Sequence, residues 1–418
     1  MSDSVIEICR RARAASLTVR ELTTEVKDRV LTEMADALDG AGERLKAANA
    51  LDVEAAREAG TSATLIDRLT LTDKRIAGMT AAIRTIIDLP DPVGRMTGGQ
   101  TRPNGIQIDH VREPLGVVAV IYEARPNVTA DVAALCLKSG NTAVLRGSSI
   151  ARHTNTAIAE VLGEVLHRQP EVPDDAVQLI RDTSREAALE LLRADGYVDL
   201  LVPRGGPSLI NTVKENATVP TVIDGDGNCH VYVDATADHA MATDIVVNGK
   251  TSRPSVCNAV ETLLVHQDLA ESWLPKVLDT LEGLGVELRG DARTREVWPS
   301  AAEARDSDWE TEYLDLILAV KVVADLDEAL AHIDRHGTRN ADGIVAQDIA
   351  VARRFARAVD SGSVFVNTST RYSDGGEFGY GVEIGVSTQK LHARGPMGLE
   401  SLTCVKNVVW GSGQVRVI

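Results

Sequence analysis

A single cysteine, Cys257, follows a basic, proline-interrupted stretch, Lys250-Thr251-Ser252-Arg253-Pro254, and precedes a strand-like run from Ala259 to Val265. A thiol at a loop-to-strand junction is fixed yet reachable, and reactive side chains concentrate on loops held by a rigid scaffold. Lys250 and Arg253 oppose the charge of a thiolate, the nucleophilic form, so the chemistry this stretch would support is nucleophilic catalysis. Cysteine is also an ordinary small buried residue, and the stretch alone leaves both readings open. A second thiol, Cys229, has His230 beside it. Neighbours in a strand point to opposite faces, so His230 is not placed to serve as its base. One of the pair is expected to face a cleft and the other the core.

Three further stretches carry groups suited to a phosphorylated ligand. Val202-Pro203-Arg204-Gly205-Gly206-Pro207 ends a strand and opens a helix. Its two glycines allow close approach to the backbone, and the helix start offers unpaired N–H groups, although a plain tight turn reads the same way. The G-x-G-x-x-G fingerprint is absent, so a conventional dinucleotide fold is not indicated. Arg146-Gly147-Ser148-Ser149 closes another strand, where an arginine and two hydroxyls suit a ribose or its 2′-phosphate. Tyr122-Glu123-Ala124-Arg125-Pro126-Asn127 follows a third, and Pro126 leaves Asn127 at a helix start, where its amide would cap the helix or donate to an oxyanion.

These residues need a scaffold, and the hydrophobic pattern describes one. Residues 4 to 90 read as helices: Val26, Val30, Met34 and Leu38 recur every four positions, with Thr23 or Thr24 as cap and Gly40 as terminator, and 43–59 and 73–88 repeat the pattern. Beyond Pro90 and Pro92, Asn104-Gly105 between short β-prone pieces predicts a hairpin arm. From Gly116 strands and helices alternate: strands at 116–121, 142–146, 177–180, 198–202 and 219–223, helices at 128–139, 153–167, 184–194 and 207–216. A second alternating set begins at His230, with strands at 230–234, 259–265, 314–323, 342–346 and 362–367, and a late strand at 401–410 could pair with the arm. Such alternation implies βαβ crossovers and parallel sheets, whose ligands bind at the carboxyl ends of the strands.

Bulk properties narrow the function classes. The 418 residues suffice for two or three lobes, and 44 Lys and Arg against 61 Asp and Glu leave a net charge of −17. That charge argues against nucleic acid or an anionic membrane as partner. Cys9, Cys136, Cys229, Cys257 and Cys404 form an odd, irregular set with no disulfide framework, pointing to a reducing compartment. With no secretory core near the start and no long apolar run, the protein is read as cytoplasmic.

The succession PLGVVAVIYEARPNVTADVAALCLKSGNTAVLRGSS, then VPRGG, then a loop cysteine in a second lobe, resembles the aldehyde dehydrogenase superfamily. YEARPNVT, GNCHVYVD, KTSRPSVCNAVETLLVH and STRYSDGGEFGYGVEIGVSTQKLHARGPMGL are similar to its phosphate-releasing branch, which reduces L-glutamyl 5-phosphate to L-glutamate 5-semialdehyde in proline biosynthesis. The resemblance implies an α/β fold of two doubly wound parallel-sheet lobes plus a protruding oligomerisation hairpin. It implies a cofactor domain at 1–95 and 112–228, a catalytic domain at 229–395, and an arm and tail at 96–111 and 396–418.

It also implies roles. Cys257 falls at the catalytic cysteine and Asn127 at the oxyanion asparagine. Arg146 replaces the lysine that contacts the cofactor ribose, beside Ser148, and Ser149 stands where NAD-preferring relatives carry a glutamate, which favours NADPH. Gly205 and Gly206 match the pyrophosphate turn, and Glu312 the glutamate holding the nicotinamide ribose. Hydrolytic relatives have a glutamate with Leu-Gly-Gly where this chain has Ile223-Asp224-Gly225-Asp226-Gly227-Asn228, leaving Asp224 as the nearest carboxylate. Lys250 and Arg253 become candidates for the leaving phosphate, Arg125 or Arg371 for the substrate carboxylate, and no metal is expected. Expected partners are the small-molecule substrate, further copies of the chain and the upstream glutamate kinase. A hydrolytic NAD(P)-dependent aldehyde dehydrogenase is the alternative, and a non-catalytic assembly protein on the same fold a third reading.

Overall fold

The computed structural model describes residues 3–223 and 225–416, the side chain of Thr64 excepted. Its chain divides into two units, one within Met1–Ile223, Tyr380–Gly385 and Met397–Ile418, the other within Asp224–Gly379 and Val386–Pro396.

The first unit begins with helices α1 (Val5–Val19), α2 (Thr24–Gly40), α3 (Gly42–Glu58), α4 (Ala63–Leu69) and α5 (Asp73–Asp88). In α2 the Thr23 hydroxyl accepts the Val26 N–H, satisfying a free donor of the first turn, and Val30, Met34 and Leu38 are buried as their spacing requires. The arm is a hairpin, β1 (Met96–Thr101) antiparallel to β2 (Gln107–Pro114). Gly105 takes φ +84° at its turn, a conformation glycine adopts without strain. The C-terminal strand Thr403–Trp410 completes a three-stranded sheet along β2, from Thr403 opposite Pro114 to Trp410 opposite Gln107.

The unit also holds a four-stranded parallel sheet in the order β5-β4-β3-β6, from β3 (Val117–Tyr122), β4 (Thr142–Gly147), β5 (Val177–Leu179) and β6 (Leu200–Arg204). Helices α6 (Asn127–Lys138), α7 (Arg152–Leu166) and α8 (Arg185–Leu192) are the crossovers, and α9 (Pro207–Asn216) follows β6. Val117, Ala119, Ile121 and Leu201 pack with Ile8, Ala12 and Leu191 in one core. The strand expected at 219–223 does not form; a single bridge joins Thr221 to Leu201. Pro220 has no N–H to donate to a ladder, which stops the pairing there.

The second unit is built on a seven-stranded parallel sheet in the order β10-β9-β11-β8-β7-β12-β13. Its elements are β7 (Cys229–Val233), α10 (His239–Thr251), β8 (Val260–His266), α11 (Leu274–Gly283), β9 (Glu287–Gly290), α12 (Ala292–Val297), β10 (Ala302–Glu303), β11 (Ile317–Val323), α13 (Leu326–His336), β12 (Ala341–Val345), α14 (Ile349–Ala358) and β13 (Ser363–Val366). The edge strands β9 and β10 lack the alternation that marks a strand, and the pattern did not predict them. Helix α10 runs on through Gly249 and Lys250 to Thr251, so Lys250 belongs to the helix and not to the loop. A Cβ on Gly249 would stand 2.6 Å from Val260 Cγ2, so this glycine lets the helix press on β8. Among the described residues, no helix is long and apolar enough to cross a membrane.

Candidate active site

Cys257 sits in the turn between α10 and β8, half-buried. Its carbonyl accepts from Asn340 Nδ2 at 3.1 Å and from the Cys229 thiol at 3.2 Å. The next residue, Asn258, is buried; its amide donates to the Ser373 carbonyl at 2.9 Å, and its own carbonyl accepts from Thr370 Oγ1 at 2.7 Å. These bonds fix the backbone on either side of the thiol. Gly227 closes the other side: a Cβ there would lie 2.6 Å from the Cys257 Cα, so only glycine admits this approach. Asp224, the carboxylate nearest in sequence to the hydrolytic position, lies outside the described residues.

Arg371 reaches this loop from the short 3-10 turn Thr370–Tyr372, its Nε donating to Ser252 Oγ at 3.1 Å. Burial and the neighbouring Arg253 pull its guanidinium below the ordinary value, while Asp374, Cys257 and Cys229 pull the other way. Arg253 is exposed. The chain thus brings two arginines and the thiol within electrostatic reach of one another.

The structure differs from the sequence pattern at two places. Lys250 does not stand in an open loop: its ammonium is fully buried and bonds Glu261 Oε2 at 2.6 Å, with both side chains 0% exposed. Burial lowers the Lys250 pKa and raises that of Glu261 to about 7, each against the pull of the other's charge. A group so enclosed is no receiver for a leaving phosphate. Second, neither Cys229 nor His230 faces a cleft, since both are wholly buried. Burial drives the Cys229 thiol well above its ordinary pKa, and His230 Nδ1 lies 3.1 Å from Asp342 Oδ1.

Glu312 precedes β11, half-buried, and accepts a hydrogen bond from the Gly227 N–H; burial nonetheless holds its carboxyl above the ordinary range. The residue pair after it is anchored too: Lys250 Nζ lies 5.9 Å from the Tyr313 ring centre, and the Leu314 N–H donates to Glu261 Oε1 at 3.3 Å.

In the first unit the other predicted groups gather where the parallel strands end. Asn127 is exposed and opens α6, as Pro126 requires, and its amide donates to Asp131 Oδ2 at 2.7 Å. An amide nitrogen carries two protons, so a second donor remains for a ligand. Burial pushes the Asp131 carboxyl up to about 6. Arg125 is exposed, two residues earlier. Arg146 donates to the carbonyls of Thr183 and Ser184 at 2.6 and 2.8 Å, tying the end of β4 to the start of α8.

Ser148 Oγ and Arg146 Nε are buried and have no hydrogen-bond partner among the described residues. Orphaned polar atoms at the carboxyl ends of parallel strands fit a ligand rich in hydroxyls and phosphates. Ser149 beside them is exposed and brings no carboxylate. At the start of α9, Gly205 leaves no room for a Cβ, which would stand 2.7 Å from Glu123 Cδ, and the Gly206 N–H donates to Glu123 Oε2 at 3.2 Å. The chain's own carboxylate there marks an anion position.

One feature escaped the motifs. A cavity of about 450 Å³ between α3 and α7 is lined by Arg44, Arg152, His153, Glu160 and Arg181. Glu160 engages Arg44 at 2.9 Å and Arg181 at 3.0 Å, whereas Arg152 lies 3.3 Å from His153 Nε2 and, among the described residues, forms no ion pair. These arginines come from separated segments, and only folding collects them.

Parallel strands with helical crossovers define an α/β architecture, with a fixed cysteine turn in one unit and polar groups at the strand ends of the other. A family profile described as the aldehyde dehydrogenase family matches residues 2–306. A γ-glutamyl phosphate reductase of Moorella thermoacetica is 54% identical over 407 residues, 97% of each chain, and one of Thermobifida fusca 52% identical over 99% of this chain and 98% of its own. The crystal structure of γ-glutamyl phosphate reductase from Thermotoga maritima superimposes with a TM-score of 0.97 at 44% identity, covering 99% of this chain and 100% of that one. An acetylating aldehyde dehydrogenase from Geobacillus thermoglucosidasius, 18% identical over 99% of this chain and 98% of its own, shares the fold at a TM-score of 0.68. The chain belongs to the aldehyde dehydrogenase family and, within it, to the γ-glutamyl phosphate reductases.

Proposed function

We propose that this chain reduces L-glutamyl 5-phosphate to L-glutamate 5-semialdehyde, releasing phosphate, as a step of proline biosynthesis in the cytoplasm. The observation that carries this is the half-buried thiol of Cys257, pinned through its backbone and flanked by Arg253 and Arg371. The Cys257 thiolate attacks the acyl carbon, the carbon–oxygen bond to phosphate breaks, and the product is an acyl thioester on Sγ with inorganic phosphate released. Asn127 donates its second amide proton to the oxyanion as it develops. Arg253 receives the departing phosphate, and Arg371 or Arg125 holds the substrate carboxylate. NADPH supplies the hydride when bound. After reduction, the thiohemiacetal collapses, the semialdehyde leaves and Sγ is again a thiolate.

Arg146, Ser148 and Ser149 would hold the adenosine ribose, Gly205 and Gly206 the pyrophosphate after Glu123 yields the helix start, and Glu312 the nicotinamide ribose. Arg152 and Arg181 would face the 2′-phosphate, which distinguishes NADPH from NADH. The sheet of β1, β2 and the C-terminal strand exposes Val405, Val409 and Trp410, consistent with pairing between copies of the chain. The upstream glutamate kinase is the partner that would hand over the acyl phosphate.

The test is reduction of NADP by glutamate 5-semialdehyde with and without inorganic phosphate. The proposal expects turnover only with phosphate. Equal turnover without it would establish the hydrolytic alternative.

A further inference from the structure

Lys250 and Glu261 have no role in the reaction as described, yet they form a fully buried ion pair, 2.6 Å apart, under the active-site turn. Burying two charges is costly unless their remaining lone pairs and protons are used. Glu261 uses its second oxygen, Oε1, to accept the N–H of Leu314 at 3.3 Å. Leu314 is one of three non-glycine residues described with positive φ, at +55°. A leucine in that conformation is strained and persists only where its surroundings impose it. The strained turn lies two residues after Glu312, whose carboxylate accepts from the Gly227 N–H. Gly227 is in turn packed against the Cys257 backbone. A continuous path therefore runs from the buried pair through Leu314 and Glu312 to Gly227 and the turn that carries the thiol.

We infer that Lys250 and Glu261 are positioning residues: the pair holds the Leu314 turn in its strained form, which sets the Glu312 carboxylate and, through Gly227, the backbone of Cys257. The inference rests on Glu312 being a cofactor ligand. What passes along the path is the hydrogen bond from Leu314 to an acceptor at 261, and the lysine neutralises and orients that acceptor. Its ammonium also lies 5.9 Å from the ring centre of Tyr313, so both residues after Glu312 touch the pair.

Two double variants separate this role from plain stabilisation. Lys250→Met with Glu261→Gln removes both charges but keeps an oxygen for the Leu314 N–H. Lys250→Met with Glu261→Leu removes the oxygen as well, and apolar replacement of a buried pair is often neutral for stability. KM for NADPH, kcat, melting temperature and the rate of Cys257 alkylation are measured for each, with Glu312→Ala as reference. The Met/Gln variant is expected to stay within about threefold of wild type in KM for NADPH. The Met/Leu variant, at a melting temperature equal to that of Met/Gln, is expected to raise this KM roughly tenfold, to lower kcat, and to alter the alkylation rate. Wild-type KM and kcat in Met/Leu, with Glu312→Ala impaired, would overturn the inference. Should Met/Leu fail to fold, Glu261→Leu and Glu261→Gln singly give the same comparison, and equal KM for NADPH in the two would overturn it. An unimpaired Glu312→Ala would overturn the cofactor assignment of Glu312, and the inference with it.

Discussion

Gly227→Ala is the sharpest perturbation of the proposed nucleophile, Cys257, that leaves the cysteine itself unchanged. The added Cβ would stand 2.6 Å from the Cys257 Cα, with the Cys257 carbonyl closer still. Carbon atoms rest at roughly 3.5 to 4.0 Å, so the two backbones must part by about 1 Å. Both are tethered, Gly227 through its N–H to Glu312 and Cys257 through its carbonyl to Asn340 and Cys229, so neither yields freely. A misplacement of about 1 Å at a reacting group costs on the order of 10²-fold in rate, or about 2.7 kcal/mol in the barrier. The expected result is a kcat lowered about 10²-fold in the phosphate-dependent assay, with Cys257 alkylated at a changed rate. Melting temperature, read in parallel, reports whether the clash is relieved by local unfolding. A Gly227→Ala enzyme with wild-type kcat and alkylation rate would show that the tight approach has no bearing on the thiol.

Other outcomes follow from the same geometry. Cys257→Ser should lose at least about 10³-fold in activity, whereas Cys229→Ser, whose thiol is buried and held protonated, should keep activity within about tenfold; comparable losses would contradict the assignment. Arg152→Ala should raise KM for NADPH on the order of 10-fold or more and leave KM for NADH unchanged; equal changes for both cofactors would remove the cavity from the 2′-phosphate. For Asp131, burial raises the folded pKa from 3.8 to about 6, so the neutral form is favoured on folding. That stabilisation is complete below the ordinary value and lost as pH rises through about 6, so Asp131→Asn should gain in melting temperature relative to wild type between pH 4.5 and pH 8. A difference independent of pH would refute it.

Much of this was legible in the chain, for physical reasons that differ by element. Helices such as α2 declare themselves because cap and apolar stripe agree, and the arm because Asn104-Gly105 suits a tight turn. Cys257 was ambiguous by itself and gained meaning from long motifs around it. Pro254 makes Lys250 read as loop, yet Ala242, Val246 and Lys250 fall four apart on the buried side of α10. Glu261 gave a matching hint as the one charge in the wholly buried stretch Val260–Val265, which requires a partner. The strand lost at 219–223 shows a proline overruling β-branched neighbours. The arginine cavity was invisible because Arg44, Arg152 and Arg181 share no local pattern, and the approach of Gly227 to Cys257 spans thirty positions of sequence that only the fold closes.

In the proposed reaction Cys257 carries the acyl group, and phosphate, not water, removes it. The most direct measurement mixes the protein with glutamate 5-semialdehyde and NADP in the absence of phosphate, follows NADPH formation, and determines by mass spectrometry where acyl mass resides. A single burst of about one NADPH per active site, acyl mass on Cys257, and onset of steady turnover when phosphate is added is the predicted result. Sustained turnover without phosphate, or acyl mass on another residue, would contradict it.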